Sequence, residues 1–403
     1  PKPSSAASDV YKRQPGMLFE NMGLTYLGPV DGHNMRQMMK LFNEAKRVEG
    51  PVVVHVLTKK GRGYEPASAH PDRFHGTGPF DIKTGRVLQK KTVPGYTDVF
   101  SKALVSLGEK NKKLTAITAA MPDGTGLVEF SRRFPDRFFD VGIAEEHAVS
   151  FAAGLALGGL VPVVAIYSSF LQRAVDQILH DVCMQKLHVI FAVDRAGLVG
   201  ADGETHQGCF DLSYLSMMPN MTVLAPKNDR ELEEMLAFAV SFDGPIAIRY
   251  PRGSAHQGLR EYQAPVEYGR SEIIRKGKKI AVLGVGSMIP SCMEICKGLK
   301  DDGYDPTFVN ARFVKPLDVD LLDELAKDHS LFVTVEENVK SGGYGEHVSA
   351  YMEACHPEIR VLSAAVWDRF VPQGNVESLR SRIGLGVEDI RQAIEDSEEL
   401  REQ

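Results

Sequence analysis

Glu145 lies in the segment Asp140-Val-Gly-Ile-Ala-Glu-Glu-His-Ala, where a short apolar strand ends and a helical pattern begins. That places its carboxylate in a first helical turn, where the helix dipole favours negative charge, so capping alone would explain it. At helical spacing, though, Glu145 shares a stripe with Val149, Ala152 and Ala156, and the helix after Ala148 is apolar on nearly every side. A carboxylate aimed into such a setting loses hydration and holds a proton more tightly, which suits acid–base work. The pattern serves capping and chemistry equally.

Two further segments carry reactive side chains at strand ends. In Ile166-Tyr-Ser-Ser-Phe-Leu-Gln-Arg-Ala-Val-Asp-Gln, Tyr167 stands where a strand hands over to a helix, with Phe170 and Arg173 one turn apart beyond it. Open α/β sheets bind ligands at that edge; core packing for Phe170 and a surface ion pair for Arg173 are the ordinary alternatives. In Asp194-Arg-Ala-Gly-Leu-Val-Gly-Ala-Asp-Gly-Glu-Thr-His-Gln-Gly the glycines make a loop that carries Arg195, Asp202, Glu204 and His206. The alternation of Asp202, Glu204 and His206 lacks a fourth ligand, so no metal ligands are assigned, and His206 is read as a hydrogen-bonding or proton-transferring group. Arg249-Tyr-Pro-Arg252-Gly ends a third strand. Arg173, Arg195, His206 and Arg249 or Arg252 thus gather at strand ends. Such a set, with guanidinium geometry, fits a small anion, and phosphate best.

The elements that position them read as an α/β protein. From 93 to 264 helical stretches alternate with short continuous apolar runs: Leu114–Thr118, Phe138–Val141, Pro162–Ile166, His188–Val193, Met221–Leu224 and Ile246–Tyr250. That cadence predicts a parallel sheet with helices on both faces. Residues 265–403 repeat it with Lys279–Gly284, Thr307–Asn310, Leu331–Val335 and Arg360–Ser363. The acidic stretch from Val387 to Gln403 reads as a solvated terminal helix. Gly284-Val-Gly-Ser lacks the third glycine of a dinucleotide fingerprint and reads as a plain strand-to-helix turn. Residues 15–92 hold a helical pattern over Met35–Val48, a strand over Pro51–Thr58 and a glycine- and proline-rich linker. One helix and one strand cannot bury a core, so their partners are expected to come from elsewhere. Residues 1–14 are polar and small and are read as a non-family leader.

Composition limits the functions open to the chain. With 403 residues and a net charge of -6 it is long enough for two or three domains and carries no basic run, which argues against nucleic-acid binding. The uncharged stretch from Ala148 to Gln172 is interrupted by Gly154, Gly158, Gly159 and Pro162, so a buried helix, a glycine turn and a buried strand fit it better than a membrane span. Five scattered cysteines without a Cys-x-x-Cys pair read as reduced thiols of a cytoplasmic protein.

Several motifs resemble the 1-deoxy-D-xylulose-5-phosphate synthase family: GPVDGH (28–33), TKKGRGYEPA (58–67), FHGTGPFD (74–81), VGIAEEHAV, AIYSSFLQRAVDQ, LHDVCMQKL, the loop DRAGLVGADGETHQGCFDLSYL, RYPRG, FVKPLD (313–318) and EENVKSGGYGEH. The resemblance implies a thiamine-diphosphate-binding fold followed by a transketolase C-terminal domain. It implies condensation of pyruvate with D-glyceraldehyde 3-phosphate, with loss of carbon dioxide, at the start of non-mevalonate isoprenoid synthesis. Thiamine diphosphate and magnesium are the implied cofactors, and the implied assembly is a cytoplasmic homodimer, or a plastid one in a plant or alga. By resemblance Glu145 bonds the cofactor's pyrimidine, Phe170 stacks on it and Tyr64 contacts the cofactor. Tyr167, Arg173, Arg195, Asp202, His206 and His75 take substrate-binding and proton-handling places; Arg252 is preferred over Arg249 for phosphate. The family's Gly-Asp-Gly motif for magnesium and diphosphate does not occur in these residues. The expectation is therefore an N-terminally truncated chain, inactive alone. A transketolase, a 2-oxo-acid dehydrogenase β subunit and one half of a split enzyme are the alternatives; the long loop and RYPRG argue against the first two.

Overall fold

The computed structural model describes residues 16–71, 73–74, 76–88 and 93–397. Residues 1–14, read above as a leader, and His75 lie outside them. The chain divides into two units, 1–92 and 93–403.

In the first unit, strands β1 (Thr25–Asp31) and β2 (Val52–Leu57) pair in parallel. Helix Met35–Ala45 connects them, capped by Asn34, whose side chain accepts from the Gln37 amide. Apolar periodicity predicts that helix and β2; β1 escapes it because Gly28-Pro29 interrupts the run. Two strands leave much apolar surface uncovered: Leu18, Met22, Met35 and Met39 are all more than 60% exposed. Tyr64, in this unit, donates its hydroxyl to the Ile82 carbonyl at 2.8 Å and packs its ring with Phe74 and Phe80.

The second unit holds two sheets. Strands β3 (Leu114–Thr118), β4 (Phe138–Asp140), β5 (Val161–Tyr167), β6 (Ile190–Asp194), β7 (Thr222–Leu224) and β8 (Ile246–Tyr250) run parallel in the order β7-β8-β6-β5-β3-β4. Every residue of β3, β6 and β8 is buried, as continuous apolar runs require when helices cover both faces. The second sheet is built from β9 (Glu272–Arg275), β10 (Lys279–Gly284), β11 (Thr307–Asn310), β13 (His329–Val339) and β14 (Arg360–Val366), in the order β14-β13-β10-β11-β9. Its edge strand β9 is antiparallel. Strand β12 (Phe313–Lys315) leaves that sheet's sequence and pairs antiparallel with β7 of the first. A buried polar cluster also spans the two: Lys227 and Arg312 each contact both Glu231 and Glu272 within 3.1 Å.

Helix Glu145–Leu157, the turn at Gly158–Gly159 and β5 follow in the order read from the uncharged stretch. Among the described residues no helix is long and apolar enough to cross a membrane. Gly284 ends β10 and leads through a short 3-10 turn into helix Ile289–Asp301, the plain turn expected. The terminal helix, Val387–Glu395, corrects the reading of a solvated element: Ile390 and Ile394 are buried, on one face of the helix. The charges that dominate the segment occupy its other faces. All five cysteines are free thiols, with only Cys355 exposed.

Candidate active site

The carboxyl ends of β3, β4, β5, β6 and β8 supply the site. Glu145 opens its helix with its side chain 3% exposed, above Val149 and Ala152, which are fully buried. Its Oε1 accepts from Arg173 Nη1 at 2.5 Å. The Arg173 guanidinium also lies 4.9 Å from the centroid of the Phe170 ring. Carboxylate, cation and aromatic face therefore form one contact group, though Arg173 comes from a separate helical turn 28 residues on.

Phe170 joins this group to a second one. Its ring stacks on Tyr167 (5.7 Å, 18°) and meets the His206 imidazole edge-on at 5.3 Å. Arg195 lies 3.9 Å above the Tyr167 ring. It adopts φ +59°, a left-handed conformation uncommon for a residue with a side chain. Three contacts hold it there. Its amide donates to Asp194 Oδ1 (2.7 Å), its Nη1 lies 2.9 Å from Asp194 Oδ2, and Nη1 donates to the Gly124 carbonyl (2.5 Å). Gly124 itself has no room for a side chain, because a Cβ there would stand 2.0 Å from the Tyr167 hydroxyl. Burial raises the Tyr167 phenol above its usual range, and Arg195 and Arg252 act against it. The remaining pair of sequence-predicted residues here is Arg252 and Asp202. They are joined to each other by an exposed ion pair of 3.0 Å.

Asp194 and Thr97 are site residues that the sequence reading did not single out. Asp194 is fully buried at the end of β6, and Thr97 donates its hydroxyl to Oδ2 at 2.9 Å. Burial outweighs these partners and pushes the Asp194 carboxyl up to about 6. Folded Asp194 thus binds a proton more tightly than the unfolded chain, so its stabilisation is complete below about pH 4 and is lost as the pH rises through about 6. Between pH 4 and 7 the wild-type chain should lose on the order of 2 kcal/mol of stability more than Asp194→Asn does. Urea unfolding at both pH values checks this, and parallel slopes for the two proteins would contradict it.

The two arginines of RYPRG part company. Arg249, 2% exposed, makes a bidentate pair with Asp211 (2.7 and 3.1 Å) and donates to the Glu337 carbonyl at 3.4 Å. Arg252 lies beyond the strand end, its side chain 42% exposed, and lines a cavity of about 550 Å³ with Ser254, His256, Ser287, Glu337 and Arg380. Tyr64 belongs to the other unit. Asp202 and Glu204 are exposed on the loop, and among the described residues no three His, Cys, Asp or Glu side chains converge as a cation site.

Comparison with known proteins matches this architecture. The pyrimidine-binding domain of transketolase matches residues 93–257, the transketolase C-terminal domain matches 269–390, and 1-deoxy-D-xylulose-5-phosphate synthase matches 3–58. The 1-deoxy-D-xylulose-5-phosphate synthase of Lachnoclostridium phytofermentans is 54% identical over 377 residues, 93% of this chain. That of Natranaerobius thermophilus is 51% identical over 378. The chain belongs to the 1-deoxy-D-xylulose-5-phosphate synthase family. It spans 60% of the length of those two synthases. A solved structure titled split gene transketolase, inactive beta4 tetramer, is 30% identical, with a TM-score of 0.67 over 76% of this chain and 98% of that one. The transketolase of Campylobacter jejuni, 16% identical, shares the fold with a TM-score of 0.64 over 95% of this chain and 69% of that one.

Proposed function

We propose that this chain supplies the pyrimidine-binding and C-terminal parts of a thiamine-diphosphate-dependent 1-deoxy-D-xylulose-5-phosphate synthase, acting in the cytoplasm on pyruvate and D-glyceraldehyde 3-phosphate. The observation that carries this is a buried Glu145 carboxylate joined through Arg173 to the ring of Phe170, at the carboxyl edge of a parallel sheet. A flat ring with hydrogen-bonding nitrogens fits that pair: Phe170 covers its face and Glu145 takes its edge. Thiamine diphosphate, when bound, supplies a nucleophilic carbon and a sink for the electrons left when carbon dioxide departs. The chain's own residues then orient and move protons. Glu145 holds a hydrogen bond, and with it a proton, at the pyrimidine edge. His206, on the rim of Phe170, donates to the carbonyl oxygen of the substrate. Arg195 and Arg252 hold the triose phosphate, for which Arg252 exchanges its exposed Asp202 partner at small cost.

Magnesium and the diphosphate belong, on this reading, to the part of the relatives that this chain does not span. A homodimer is also part of it, supported by Ile143, Leu157 and Met184, each more than 60% exposed beside the site helix or just beyond it. The split gene transketolase favours a second reading, in which this chain is one half of an enzyme made from two polypeptides. Both readings meet one test. The chain is expressed with the portion of the Lachnoclostridium phytofermentans synthase that it does not match, and is assayed with pyruvate and D-glyceraldehyde 3-phosphate. The pair should release carbon dioxide and form the deoxyketose phosphate, and the chain alone should not. A pair that accepts only sugar phosphates and ignores pyruvate contradicts the assignment. The coding DNA around the chain separates a second polypeptide from a continuous one.

A further inference from the structure

The loop that carries Asp202 and His206 leaves β6 and returns to helix Asp211–Ser216, and its two legs are tied together. Gly197 and Gly208 exchange two backbone hydrogen bonds of 2.7 Å, so the tip 199–207 is displayed on a closed neck. What fixes the neck comes from the second sheet. Glu337 of β13 is 1% exposed, and its carboxylate accepts from Arg380 Nε (2.7 Å), the Ser287 hydroxyl (2.8 Å) and the Leu198 amide (3.4 Å). Gly197, at φ +79°, is what lets the backbone come so near, because a Cβ there would lie 2.4 Å from Glu337 Oε2. At the end of the tip, Gln207 is 4% exposed and acts as a second clamp. Its Oε1 accepts from the Val199 and Gly200 amides (2.8 and 3.3 Å), and its Nε2 donates to the Val371 and Pro372 carbonyls (3.4 and 3.1 Å). The Gly374 amide closes the clamp on the Gly200 carbonyl at 3.2 Å.

We infer that Glu337 and Gln207 are positioning residues through which the C-terminal domain sets the place of His206 against Phe170. Neither touches the ring cluster; each acts on the backbone that carries it. This rests on the reading of His206 above, but its structural half stands apart from any activity. A side chain that accepts and donates across two elements defines a loop more sharply than apolar packing, because each lost bond leaves a buried partner without one.

The test is amide hydrogen exchange on this chain, comparing Glu337→Ala, Gln207→Ala and Glu337→Gln with the wild type. Exchange over 198–206 should quicken about tenfold in both alanine variants, with β5 unchanged, and Glu337→Gln, which keeps an acceptor for Leu198, should recover much of the protection. In the chain paired with the unmatched portion of its relative, both alanine variants should lower kcat about tenfold and leave KM for pyruvate unchanged. Unchanged protection of 198–206 in a folded Gln207→Ala overturns the inference, and that variant decides it should Glu337→Ala fail to fold. A wild-type pair without activity would defeat the proposed function alone, since the exchange result reads the clamp directly.

Discussion

Turnover of the assembled enzyme is expected to fall on the order of 10³-fold in Glu145→Ala, the range that positioned proton transfer contributes. Glu145 is nearly sealed from water, over fully buried Val149 and Ala152, and it is ion-paired with Arg173. Alanine there leaves the helix intact, because Ala144 already caps without a side-chain bond and Glu146 remains in the first turn to meet the dipole. A large loss of kcat with unaltered unfolding by urea is therefore the expected pair of results. Near-normal turnover would end the assignment of Glu145 to the chemistry. Arg173→Ala should follow it in part, since it removes the partner that fixes the carboxylate.

Arg252→Ala is expected to raise KM for D-glyceraldehyde 3-phosphate about 10- to 100-fold, the worth of one charge-assisted hydrogen bond, while release of carbon dioxide from pyruvate changes little. Its ion pair with Asp202 is exposed, so the variant should lose less than about 1 kcal/mol of stability. Arg249→Ala, three residues earlier, should do the reverse: it strands a buried Asp211 and costs on the order of 3–5 kcal/mol. Kinetics with each substrate and urea unfolding separate the two arginines. Equal harm to both half-reactions by Arg252→Ala would count against a phosphate role. Arg173 is predicted to behave differently from Arg252, because its guanidinium is engaged with Glu145 and Phe170, and its loss should impair both half-reactions alike.

That difference marks where reading the sequence stops. Continuous apolar runs place β3, β5, β6 and β8 well, and the handover from strand to helix marks Tyr167, Glu145 and the 195–208 loop as edge positions. The match of Glu145 with Arg173 joins turns 28 residues apart, and no local spacing encodes it. The contrast between Arg249 and Arg252 was open in the sequence, although Arg249 lies inside the apolar run Ile246–Tyr250 and Arg252 two residues past it. Strands β9 and β12 are three or four residues long and are defined by the sheets they join, so no periodicity announces them. The terminal helix was misread because charge drew attention from Val387, Ile390 and Ile394, an i, i+3, i+7 stripe. Asp194, Thr97 and Glu337 matter through contacts made 50 to 140 residues away in sequence.

The most direct measurement is the rate at which the proton on carbon 2 of the thiazolium ring exchanges with deuterated water when thiamine diphosphate is bound to the assembled enzyme. It is followed by nuclear magnetic resonance without any substrate. The wild type should accelerate this exchange over free thiamine diphosphate, and Glu145→Ala should slow it on the order of 10²-fold or more with the cofactor still bound. Equal exchange in the two proteins would contradict the role given to the buried carboxylate.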